Sequence, residues 1–273
     1  MKTLLLVHAH PDDESIATGG VMLRAKRDGH RVVLVTCTRG EEGQILNLPE
    51  GEALRDRLGQ IRTQELRRAG EVLGIDRQVF LGFRDSGMAG TVSNQHPESF
   101  HQAPLAAAAE QLAVILREEQ PTVVVTYTAD GTYGHPDHIK AHQTTLAALQ
   151  LMAAEGYRPD RLFLHAIPRS FITEMGRQAQ LMGVEIPADM TPNGVPDSEV
   201  TTVVDVREFT ARKLEAFRAH VSQNDPNSPF QGLADQIRES EMVESAFGIE
   251  SFVLASHQGA TPSRDDLFGG LED

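Results

Sequence analysis

The feature that most constrains this chain lies at its start. Residues 4–7, Leu-Leu-Leu-Val, make an apolar run short enough for a buried strand, and it empties into His8, His10, Pro11 and three consecutive acids, Asp12, Asp13 and Glu14. Like charges a few ångströms apart repel and raise one another's pKa. A divalent cation would remove that penalty.

The pattern that follows alternates between strand and helix. Residues 15–28 carry Ile16, Val21, Met22 and Ala25 near helical spacing, with Gly29 as a stop. One helix there would set residues 12–14 at its N-terminus, where the helix dipole favours negative charge. The Val-rich strand 31–36 has two apolar faces, as in a parallel sheet covered by helices. A polar loop at 37–43, a helix at 57–73 closed by Gly74 and a strand at 78–81 come next. Residues 82–103 hold several glycines and little periodicity, and a loop this long inside a compact domain is expected to be functional or mobile. A helix at 104–119, the strand 122–127, a helix at 137–154 and a strand at 161–167 complete the alternation. It predicts an α/β fold, a doubly wound, mostly parallel, Rossmann-like sheet flanked by helices, with active sites outside the carboxyl ends of the strands.

Beyond residue 168 the pattern weakens. It reads as a helix at 170–182, a proline-rich loop at 187–197, a strand at 201–206, a helix at 208–220, a segment at 235–244, a strand at 249–254 and a polar tail from 258 to 273. No internal repeat or linker divides the chain. The expectation is one domain over 1–273, with a core at 1–167 and a C-terminal elaboration at 168–273.

Charge narrows the partners. The chain has 39 acids against 25 bases, a formal net charge of -14, which opposes binding to phosphate backbones and anionic membrane surfaces. Neither nucleic acid nor a membrane is an expected partner. Cys37 is the single cysteine, so no intramolecular disulfide forms, and the short apolar start runs into charged residues; the expected location is cytoplasmic. Self-association is left open.

Two clusters carry the chemistry. His10 and Asp13 stand three residues apart at a strand-to-helix turn, and His135 and His138 repeat that spacing behind the strand 122–127. Catalytic zinc takes three protein ligands of nitrogen and oxygen type and keeps a fourth position open. Two ligands from the first cluster and one from the second meet that count, leaving a carboxylate as base and a histidine as acid or oxyanion stabiliser. Ferrous iron is the alternative metal for two histidines and a carboxylate.

His-Pro-Asp-Asp-Glu at 10–14 with His-Pro-Asp-His at 135–138 resembles the paired signature of the PIG-L/LmbE superfamily of zinc-dependent N-deacetylases. Thr-Cys-Thr-Arg-Gly-Glu-Glu-Gly at 36–43, Arg-Asp-Ser-Gly-Met-Ala-Gly-Thr at 84–91 and Thr-Tyr-Gly-His-Pro-Asp-His at 132–138 are similar to the subgroup of mycothiol-biosynthesis deacetylases and mycothiol S-conjugate amidases. The likeness covers about residues 3–150 and touches 216–223. It implies that His10, Asp13 and His138 bind zinc and that Asp12 takes the proton from the attacking water, whose pKa zinc lowers to about 7. It further implies that His135, held by Asp137, stabilises or protonates the tetrahedral species, that Tyr133 polarises the carbonyl, and that Arg62 and Asp85 contact sugar and inositol hydroxyls.

The implied activity is removal of an N-acetyl group from a small-molecule N-acetylglucosaminide, a thiol-cofactor precursor such as a GlcNAc-inositol or GlcNAc-malate conjugate. The motifs do not separate this from a thiol S-conjugate amidase or a chitooligosaccharide or natural-product deacetylase. A non-hydrolytic nucleotide-binding module is disfavoured, because the first turn has no Gly-x-Gly-x-x-Gly and offers carboxylates where a phosphate needs amides. Neighbouring residues read as structural. His8 is expected to pack or support a ligand, Glu14 to satisfy the helix terminus, Asp130 to make a turn and Cys37 to act as a buried hydrophobe. Glu41 and Glu42 are expected to be solvated, and His220 to sit in the core or behind the site.

Overall fold

The computed structural model describes residues 1–181, 194–224 and 247–271. Among these, β1 (Thr3–His8), β2 (Arg31–Thr38), β3 (Arg77–Phe83), β4 (Val123–Tyr127), β5 (Arg161–Ala166), β6 (Thr202–Asp205) and β7 (Ile249–His257) form one sheet in the order β3-β2-β1-β4-β5-β7-β6. The first five strands run parallel, and β7 is antiparallel to both β5 and β6. The expected mostly parallel, doubly wound sheet is therefore present, and the C-terminal strands extend it. The expected segment 235–244, the last residue of the helix expected at 170–182 and most of the proline-rich loop lie outside the described residues.

Helices cover both faces because alternate residues of the central strands are apolar in both directions. Leu4 and Leu6 of β1 pack with residues of α2 (Gly19–Arg27) and α3 (Leu58–Leu73), while Leu5 and Val7 pack with α4 (Leu105–Glu119) and α6 (Pro136–Ala154). Strand order reverses between β1 and β4, which are directly paired. Their carboxyl ends lie side by side there, the position at which open α/β sheets place ligands.

Several expectations are corrected. The helix expected at 15–28 is broken into α1 (Asp13–Ala17) and α2 at Thr18, whose φ is -143° and ψ 9°. The break lets the Thr18 hydroxyl reach His8 Nε2 at 2.8 Å, and it frees the start of α2. There the Gly20 and Val21 amides donate to the Glu250 carboxylate at 2.7 and 2.8 Å, and buried Lys213 pairs with the same carboxylate at 2.5 Å. The loop at 82–103 contains a single 3-10 turn at Val92–Gln95 and a bridge between Arg84 and Ser99. The tail is not simply polar: Leu267 is buried, Phe268 and Leu271 pack on the core, and fully buried Arg161 donates to the Leu267 and Gly269 carbonyls at 2.6 Å each. A mixed polar sequence hid an apolar Leu-Phe pair whose partner is a distant strand.

The remaining α-helices among the described residues are α5 (Gly131–Gly134), α7 (Arg169–Leu181) and α8 (Thr210–Arg218). Among the described residues no helix is long and apolar enough to cross a membrane. Close packing at the start of α2 depends on glycine, since a Cβ on Gly20 would fall 2.4 Å from Val206. Gly20→Ala is therefore expected to cost about 1–3 kcal/mol by overpacking. A thermal melt should show the melting temperature lowered by roughly 2–10 °C.

Candidate metal centre

β1 and β4 deliver the two clusters to the same position. Residues 10–14 follow β1 into α1, and residues 135–138 follow β4 through the turn of α5 into α6. Pro136 at the first turn of α6 suits its fixed φ, and Asp130 caps α5 by accepting from the Thr132 amide, the turn role expected of it. His135 is the N-cap of α6, with its Nδ1 accepting from the Asp137 amide at 3.1 Å.

Asp13 is the meeting point. Its Oδ2 accepts from the His10 amide at 2.9 Å and from the Tyr127 hydroxyl at 2.7 Å, and lies 3.5 Å from His10 Nδ1; its Oδ1 lies 3.4 Å from His138 Nε2. His138 Nε2 is buried without a hydrogen-bond partner. An unpaired buried nitrogen lone pair facing a carboxylate oxygen is costly unless something electropositive sits between them. A nitrogen and oxygen donor set of this kind suits a divalent cation. The three residues expected as ligands are thus brought together. Ring nitrogens of His10, His135 and His138 also lie within 4.8 Å of one another, so His135 is within reach of the same spot.

The Asp137 carboxylate does not hold His135, as the resemblance implied. It accepts from the Ser86 amide at 2.9 Å and from the Ser86 hydroxyl, and it faces His10 Nε2 at 3.3 Å; only its backbone N–H reaches His135. A carboxylate behind a ligand histidine fixes the ring and its tautomer. Asp85 joins it, with Oδ1 3.6 Å from His10 Nε2 and its carboxylate accepting from the Gly87 and Glu42 amides. Asp85 and Arg62 are each only 3% exposed. Arg62 turns inward, donating to the Gly40 and Pro11 carbonyls and to Asp12 Oδ2 at 3.0 Å. Both residues expected to contact sugar hydroxyls are thus hydrogen-bonded to protein groups around the centre.

The charges divide accordingly. Burial and neighbouring Asp13 push Asp12 up to about 6 against the opposing pull of Arg62. Burial acts to raise Asp13 as well, but His138 and His10 hold it well below the usual carboxylate range. Burial, followed by His10 and His138, lowers His135 to about 3, so its imidazole is neutral near pH 7. Burial also lowers His138 to about 4. Because Nδ1 of His135 accepts a backbone N–H, the neutral ring carries its proton on Nε2. Tyr133 stands beside both histidines, with ring centroids 6.0 Å from His135 and 5.0 Å from His138.

Three neighbours make contacts that their expected roles do not include. Glu14 is fully buried, and its carboxylate accepts from the Asp12 amide at 2.9 Å, Ser15 Oγ at 2.6 Å and His220 Nε2 at 2.7 Å rather than serving only the helix terminus. Glu41 and Glu42 are not free in solvent: Glu41 accepts from the Asp85 amide, and Glu42 from Arg84 and Ser93. His8 packs as expected, between Tyr127 and Thr18, and Cys37 is a buried member of the core. Sequence reasoning missed Tyr127 and Ser86. Tyr127 had one signal, its place as the last residue of a strand expected to border the site.

Fold and site together define a doubly wound α/β protein with a candidate metal centre at its switch point. The chain belongs to the PIG-L family, described as GlcNAc-PI de-N-acetylase, whose model matches residues 5–149. It is 41% identical over 290 aligned residues, covering 100% of this chain and 96% of the relative, to a 1D-myo-inositol 2-acetamido-2-deoxy-alpha-D-glucopyranoside deacetylase of Acidothermus cellulolyticus. A protein of the same name from Thermomonospora curvata is 42% identical over 294 residues, covering 99% of this chain and 96% of the relative. Among solved structures, the N,N'-diacetylchitobiose deacetylase of Pyrococcus horikoshii matches with a TM-score of 0.61 at 20% identity, over 93% of this chain and 83% of that one. At that identity the likeness is one of fold.

Tyr127→Phe removes a hydrogen bond to Asp13 without opening a cavity. It is expected to weaken metal affinity by about tenfold or more, measured by competition with a chromophoric chelator.

Proposed function

We propose that this chain is a metal-dependent N-deacetylase that hydrolyses the acetamide of a GlcNAc-inositol conjugate. The observation that carries the reading is that Asp13, next to Asp12 in the chain, lies 3.5 Å from His10 Nδ1 and 3.4 Å from His138 Nε2. The substrate class is supported by relatives of that name matching at 41% and 42% identity over essentially the whole chain.

A cation held by His10, Asp13 and His138, zinc or ferrous iron, would supply Lewis acidity toward the acetamide and lower the pKa of the attacking water. Asp12, adjusted to about 6, accepts the proton that this water loses as its oxygen bonds to the carbonyl carbon. The Nε2–H of neutral His135 and the hydroxyl of Tyr133 donate to the developing oxyanion. His135, lowered to about 3, is neutral near pH 7 and has no imidazolium proton to give the amine, so Asp12 returns its proton to the leaving nitrogen as the C–N bond breaks. Acetate and a free amine result. Arg62, Glu14 and Asp137 hold these groups in place. The proposal includes a single domain over 1–273, supported by β6 and β7 joining the same sheet, and a cytoplasmic setting, consistent with one buried cysteine.

Protein stripped by chelation and reloaded with Zn2+ or Fe2+ tests the reading. Amine release from GlcNAc-inositol is expected only in reloaded samples, and failure to release amine from any glucosaminide under every metal would sink it. Asp12→Asn should keep the metal and lose about 10²–10⁴-fold in kcat, whereas His138→Ala should lose both. Asp12 works deprotonated, so kcat/KM should fall as pH drops through the acid limb. Arg62 stabilises the carboxylate, so Arg62→Met should move that limb to higher pH.

A further inference from the structure

We propose that His220 and Glu14 form a positioning pair that fixes the Asp12 peptide, so that a histidine from the C-terminal third sets the geometry of the base. The inference rests on Asp12 being that base. Asp12 has φ 117° and ψ -33°, a backbone conformation that a side-chain-bearing residue holds only when its surroundings impose it. Two anchors impose it here. On one side Arg62 donates to the Pro11 carbonyl and to Asp12 Oδ2. On the other, Glu14 Oε2 accepts the Asp12 N–H at 2.9 Å.

Glu14 can perform that task only if its own position is fixed. His220 Nε2, 206 residues away in sequence, meets Glu14 Oε1 at 2.7 Å, and neither side chain is exposed. His220 is held in turn. It sits where α8 gives way to the 3-10 turn Val221–Gln223, and Asn224 Nδ2 donates to its carbonyl at 2.9 Å. The Ser222 amide and hydroxyl both donate to Glu65, each at 2.7 Å. Glu65 and Arg62 are three residues apart on α3 and therefore share a face. One helix thus anchors both sides of the Asp12 loop: directly through Arg62, and through Glu65, Ser222, His220 and Glu14. Being fully buried, Glu14 and His220 touch no substrate; they act through Asp12.

The variants that test this are His220→Asn, too short to reach Glu14, and His220→Gln, which keeps a donor near the Nε2 position. His220→Asn is expected to lower kcat about tenfold to a hundredfold, the scale of a small displacement at a reacting group, with KM for GlcNAc-inositol and bound metal per chain within about twofold of wild type. His220→Gln should recover most of the rate. If His220→Asn does not fold, Glu14→Asp carries the same expectation, because its shortened carboxylate cannot span both partners. In metal-free protein the Asp12 amide should exchange slowly with solvent in the wild type and His220→Gln, and faster in His220→Asn or Glu14→Asp. An unchanged kcat, a loss that follows metal content or KM, or unchanged Asp12 exchange would overturn the inference. A wild type that hydrolyses no glucosaminide would instead overturn the function on which it rests, and the exchange measurement separates the two failures.

Discussion

Three adjacent carboxylates, Glu14 fully buried and Asp12 and Asp13 partly so, impose the constraint on which the rest of the site depends. Asp12, Asp13 and Glu14 cannot share one environment, because mutual repulsion and loss of solvation both oppose their charges. The fold answers by giving each its own counterpart from a different element. Asp13 faces His10 and His138, Asp12 faces Arg62 of α3, and Glu14 faces His220 beyond α8. The outcome is a separation of properties among neighbours of identical chemistry. Asp13 is held well below its usual range, while Asp12 rises to about 6, a value suited to the proton transfer proposed for it.

That separation needs the sheet. Apart from His10, the counterparts come from between 50 and 206 positions away, and the strand reversal between β1 and β4 is where both strand ends can contribute. Ser86 and Tyr127 complete the arrangement. Ser86 ties the 82–103 loop to Asp137, which backs His10, and Tyr127 at the end of β4 fixes Asp13. His10 and Asp13 are thus held through hydrogen bonds from behind, a rigidity that loops alone do not supply.

Much of this was legible in the residues. The strands stood out because parallel strands buried on both faces are continuous apolar runs, as at 31–36 and 122–127, and Gly74 ends α3 with a φ of 73° as a helix stop should. The two His/Asp clusters were readable because ligand spacing at a strand-to-helix turn is a local property. What misled was any residue whose partner is distant. Glu14 looked like a helix-terminus acid, Glu41 and Glu42 like solvated loop charges, and the family resemblance made Asp137 the partner of His135. Each is instead engaged across the loops. The break at Thr18 was missed for the same reason, since Glu250 takes the amides that the break exposes from 230 positions along the chain.

The sequence by itself therefore determined the order of strands and helices, the sheet class and the donor atoms offered to a metal, all of which follow from hydrophobic period and short-range spacing. Only the tertiary structure decided what each ionisable group does there. A carboxylate's charge state and orientation depend on burial and on the partner it meets. In this protein those partners, Arg62, His138 and His220, reach residues 12–14 through the pairing of β1 with β4 and the packing of α8 against α1 and α3.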